Sequence, residues 1–126
     1  MEDIPKLIDV WYTAFDMGDL FPDTPKVREW WNIGIHDDFK DSETQIYLKV
    51  VDTSTGRIAG YANWHWGDTI KTWKERYPPF SDDTNATAAD AFFGGMDVNR
   101  QRIMGGKPHY CMCLLASCSN DKTTAC

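Results

Sequence analysis

Two runs rich in β-branched and aromatic residues, Gln45–Asp52 and Arg57–Trp66, are separated by only Thr53-Ser54-Thr55-Gly56. So short a connection, with a glycine free to take a positive φ, predicts an antiparallel hairpin. A two-stranded hairpin is not stable alone in water, so the rest of the chain must cover one of its faces. With 126 residues there is material for a single core.

The covering elements are legible upstream. Ile4, Leu7, Ile8, Trp11, Tyr12 and Phe15 recur at three- and four-residue steps, which predicts an amphipathic helix with Gly18 as its C-terminal cap. Leu20-Phe21-Pro22-Asp23 reads as a loop. Thr24-Pro25 then supplies an N-cap and a first-turn proline for a second helix. Val27, Trp30, Trp31 and Ile35 carry its apolar face, Gly34 weakens its middle, and the polar stretch from His36 to Thr44 ends it.

Downstream, residues 67–89 contain Pro78-Pro79 and Ser81-Asp82-Asp83-Thr84-Asn85, and predict a long surface excursion with a short helical piece between Thr69 and Arg76. Asp90 to Met104 predicts a helix interrupted at Gly94-Gly95, and Gly105-Gly106-Lys107-Pro108 closes it. His109–Ala116 reads as a third, strongly apolar strand, and residues 117–126 as an unpacked tail. The expected class is α+β: two N-terminal helices packed on a small antiparallel sheet made of the hairpin and one further strand.

Charge narrows the function classes. Thirteen Lys and Arg against nineteen Asp and Glu give a net charge of -6, which argues against nucleic acid and anionic membranes as partners. No apolar run approaches the roughly 20 residues that span a bilayer. Met1-Glu2-Asp3-Ile4 lacks the basic and apolar regions of a signal peptide, so a cytoplasmic or nuclear protein is expected. All four cysteines (Cys111, Cys113, Cys118 and Cys126) cluster at one end, which predicts reduced thiols rather than a disulfide framework.

The succession of a helix, Leu20-Phe21-Pro22, Trp30-Trp31, Lys49-Val50-Val51-Asp52 and Thr55-Gly56-Arg57-Ile58-Ala59-Gly60-Tyr61-Ala62-Asn63-Trp64 resembles fungal members of the GNAT N-acetyltransferase superfamily. So does Met104-Gly105-Gly106-Lys107-Pro108-His109-Tyr110 leading into Cys111-Met112-Cys113-Leu114-Leu115-Ala116. The likeness covers residues 2–116 and implies a partial GNAT domain there, with 117–126 as tail. It implies acetyl-CoA as co-substrate, a small-molecule or peptide amine as acceptor, and the backbone of Leu114, Leu115 and Ala116 as the thioester and pantetheine contacts.

The same resemblance exposes gaps. The family opens with a strand ahead of the first helix, and here the helix begins at once. The family also follows the third strand with a glycine-rich loop and a helix N-terminus that hold the pyrophosphate, whereas residues 117–126 contain no glycine. An N-terminal fragment of the fold with impaired catalysis is therefore expected. The alternative is a non-catalytic fragment or an interaction module that self-associates through the exposed edge of the third strand.

Among individual residues, His65 and His109 are the candidate general bases, because an imidazole suits removal of a proton from an ammonium group. His65 should lie on the face opposite Trp64 and Trp66. His109, Cys111 and Cys113 invite a zinc reading, but residues i and i+4 of a strand lie about 13 Å apart, too far to share one ion. No metal site is expected, and the thiols are expected to be buried and inert. Asp37-Asp38 and Asp82-Asp83 read as solvated surface pairs.

Overall fold

The computed structural model describes residues 2–68 and 71–118. Its elements follow in the order α1 (Ile4–Ala14), α2 (Pro25–Lys40), β1 (Gln45–Val51), β2 (Ile58–Gly67), α3 (Trp73–Arg76), α4 (Ala86–Met104) and β3 (His109–Ser117). The strands form one antiparallel sheet in the order β1-β2-β3, so the fold is α+β.

The hairpin forms as its sequence dictates. Asp52 N–H donates to Arg57 O at 2.9 Å, Gly56 takes φ +73°, and the Asp52 carboxylate accepts from Ser54 and Thr55 inside the turn. Helix α2 starts on Thr24, whose hydroxyl accepts from Val27 N–H at 3.3 Å.

Three helices depart from expectation: α2 runs through His36 as far as Lys40, α4 starts at Ala86 instead of Asp90, and α1 ends early. Helix α1 stops at Ala14 instead of running to a Gly18 cap, because Phe15 turns to an extended backbone and its ring packs 5.6 Å from Trp11. Helix α4 runs without interruption through Gly94-Gly95. A glycine pair costs a helix about 1 kcal/mol per residue, which nineteen residues capped by Asn85 can absorb.

Helix α1 packs on α2, β2 and β3. Phe21 is fully buried at the centre of a ring cluster, with Trp11, Trp30, Trp31, Phe80 and Phe93 centroids 5.4 to 6.1 Å away. Aromatic residues, 13% of the chain, thus build much of the core between helices and sheet. On the other face of the sheet Ile46, Leu48, Val50, Trp66, Tyr110, Met112 and Leu115 are exposed. No described helix is long and apolar enough to cross a membrane.

Candidate functional site

Between the helix-facing side of the sheet and the segment from Lys71 to Tyr77 lies a cavity of about 220 Å³. Its walls are mainly aromatic: Trp30 and Trp31 from α2, Tyr47 from β1, Tyr61 from β2, and Trp73 and Tyr77 from the excursion. Helix α4 contributes Phe93, Met96, Asp97 and Arg100, and β3 contributes Cys111, Cys113 and Leu114. Alternation along β2 places Tyr61 and Asn63 on this side, next to His65, and leaves Trp64 and Trp66 behind.

A buried polar network underlies one side. Arg76 grips Asp38 with two hydrogen bonds, Nη2 to Oδ2 at 2.7 Å and Nε to Oδ1 at 3.3 Å. Arg76 Nη2 also donates to Asn63 Oδ1 at 3.2 Å, and Asn63 Nδ2 donates to Gln45 Oε1 at 3.0 Å. Tyr47 O–H donates to Asp38 Oδ2 at 2.8 Å, and burial pushes its phenol pKa up, so it remains a donor. Asp38 is therefore buried, at 4% exposure, and is not the solvated residue expected of an acidic pair; its neighbour Asp37 is the exposed member, bound to Lys40. The other pair divides too, with Asp82 open to solvent and Asp83 accepting from Thr24 Oγ1 at 2.7 Å.

Each cation on the cavity wall has an acidic neighbour: Arg76 with Asp38, Arg100 with Asp97 at 3.0 Å, and Lys71 with Asp41 at 3.5 Å. The net charge around the cavity is consequently small. Such a site selects by shape and aromatic surface, and its volume, below the roughly 300 Å³ of drug-sized sites, suits a small ligand.

Strand β3 carries an irregularity that the sequence did not signal. Asn63 faces Leu114 and Trp64 faces Met112, so Cys113 is an extra residue bulged out of register. The bulge brings Cys111, Cys113 and Leu114 to the same wall. Cys113 is exposed and Cys111 half-buried, contrary to the expectation of buried thiols, and Cys118 is disulfide-bonded, contrary to that of reduced ones.

Cys118 N–H donates to Ala59 O at 2.9 Å. The alternation of an antiparallel ladder then turns the amides of Ala116 and Leu114 toward β2 and those of Leu115 and Ser117 toward the open edge. Of the three backbone positions singled out in the sequence, Leu115 alone presents its N–H outward.

His65 is 2% exposed, its Nε2 has no partner, and burial, reinforced by Arg76 and Arg100, pushes its pKa down to about 3. His109 sits at the start of β3 with Nδ1 2.7 Å from Lys107 O. Neither histidine is among the residues lining the cavity. Among the described residues no group of three or more His, Cys, Asp and Glu is placed to hold a metal ion. Of residues 117–126, read from sequence as an unpacked tail, Ser117 ends β3 and Cys118 packs against the core, and residues 119–126 lie outside the described residues. Comparison with family models, curated proteins and solved structures returns no match to this chain.

Proposed function

We propose that the chain is an acyl-CoA-dependent N-acetyltransferase-like domain in which the cavity seats a small, largely apolar primary amine. In this reading the open edge of β3 receives the extended pantetheine arm as an added strand, with Leu115 N–H as a donor. One observation carries it: the aromatic cavity and the open edge belong to the same strand, so amine and thioester meet beside the bulge at Cys113. The ring walls hold an ammonium group by cation–π attraction without needing net negative charge. His65, with its basicity lowered, is a poor acceptor for the amine's proton.

Residues 117–126 have no glycine and a single cation, Lys122, so they give the pyrophosphate little grip. Loss of that remote binding energy makes turnover slow. Calorimetric titration with acetyl-CoA should give a dissociation constant weaker than about 100 μM. Mass spectrometry after incubation with millimolar acetyl-CoA and small arylalkylamines should still find acetylated amine, at a rate that Leu115→Pro reduces. No transfer to any of these amines would overturn the reading.

The exposed apolar sheet face favours a second reading, an interaction module that pairs with another copy of itself. Sedimentation velocity at tens of micromolar separates the two: a monomer throughout removes the second reading, and a dimer dispersed by Leu48→Lys supports it.

A further inference from the structure

The two thiols of the β3 bulge have a chemistry that acyl transfer does not use. Cys111 and Cys113 place their sulfurs 3.8 Å apart on the cavity wall, and Cys113 Sγ also lies 3.7 Å from Cys111 O. A disulfide needs about 2.05 Å, so closure asks for a movement of roughly 1.8 Å. A regular strand would resist that movement. Here Cys113 is the residue without a partner on β2, and no ladder pairing holds it in place.

The surroundings differentiate the pair. The Cys113 S–H donates to Cys111 sulfur and draws the Cys111 thiol down to about 6, with Arg100, His109 and Arg76 adding in the same sense. The Cys113 thiol is pushed up by the same hydrogen bond and by burial. Cys111 is thus the more acidic of the two sulfurs and Cys113 the one that keeps its proton.

We propose that Cys111 and Cys113 form a redox-active dithiol that reduces hydrogen peroxide and closes to a disulfide across the bulge. Cys111 thiolate attacks one peroxide oxygen and the O–O bond breaks. The departing hydroxide takes a proton from solvent to become water, leaving a sulfenic acid on Cys111. Cys113 sulfur then attacks Cys111 sulfur, the S–O bond breaks, and hydroxide leaves with the Cys113 proton as a second water. Two thiols lose two electrons and the peroxide gains them. The proposal stands independently of the acetyltransferase reading.

The test uses the full chain, fully reduced, with one equivalent of hydrogen peroxide at pH 7, then alkylation and chymotryptic mapping. Chymotrypsin cuts after Tyr110 and Leu114, which separates the pair from Cys118. The expected product is a Cys111–Cys113 disulfide, two hydrogens lighter and unalkylated. In Cys113→Ser a dimedone adduct should accumulate on Cys111. In the unmutated chain, iodoacetamide should label Cys111 about tenfold or more faster than Cys113, with a midpoint below that of an ordinary thiol. Two alkylated thiols after peroxide, separate sulfinates, or faster labelling of Cys113 would each overturn the proposal. The wild-type measurements decide it even if the variant fails to fold.

Discussion

Gly34 sits in the middle of α2, where helix propensity alone would favour alanine by about 1 kcal/mol. A Cβ built there would lie 2.1 Å from Cδ1 of Tyr77. That ring cannot yield, because it stacks on Trp30 at 4.9 Å and meets Trp31 edge-on at 5.7 Å. Overpacking of this kind costs about 1–3 kcal/mol. Gly34→Ala should therefore lower the melting midpoint, whereas Gly95→Ala in α4, with nothing within 4 Å, should raise it. Equal shifts in the two variants would contradict this packing. His65 supplies a second test at the same scale. Its folded pKa of about 3 lies below the usual 6.5, so the unfolded chain binds the extra proton between those values and stability falls as pH drops through that window. Between pH 7 and pH 5 the loss should be about 2 kcal/mol in chemical denaturation and should vanish in His65→Gln. A flat profile in the unmutated protein would place His65 in a wetter environment than this one.

Asp38 of α2 and Arg76 of α3 join elements 38 residues apart, and Tyr47 and Asn63 extend the join to β1 and β2. Arg76→Met leaves the buried Asp38 carboxylate without its cation and should cost about 3–5 kcal/mol. The double variant Asp38→Leu, Arg76→Met removes both charges and should recover most of that loss. If urea denaturation finds the double variant as unstable as the single one, the ion pair is not what joins these elements. This network also marks the limit of the sequence reading. The start of α2, the hairpin and the strand at His109 depend on local periods, caps and turns, and could be read directly. Nothing beside Asp38 announces a partner that far along the chain, so an acidic pair read as solvent-facing. The bulge at Cys113 was hidden for a similar reason. It is a property of how β3 registers against β2, and a run of apolar residues carries no mark of the one left unpaired. The placement of His65 on the face opposite Trp64 and Trp66 was legible because strand alternation is local.

At the scale of the whole molecule the sheet divides two surfaces. One side carries the core and the aromatic cavity; the other exposes Leu48, Val50, Trp66 and Tyr110. Tryptophans stand on both. Trp30, Trp31 and Trp73 line the cavity, whereas Trp64 and Trp66 belong to the opposite face. Their indole N–H resonances therefore report which surface a ligand occupies. An NMR titration of the ¹⁵N-labelled chain with 2-phenylethylamine tests the central claim most directly. The cavity reading predicts saturable shifts of the Trp30, Trp31 and Trp73 signals with a dissociation constant of about 1 mM or tighter, near 4 kcal/mol, and stationary Trp64 and Trp66 signals. Stationary cavity signals up to tens of millimolar amine, or shifts confined to Trp64 and Trp66, would contradict it.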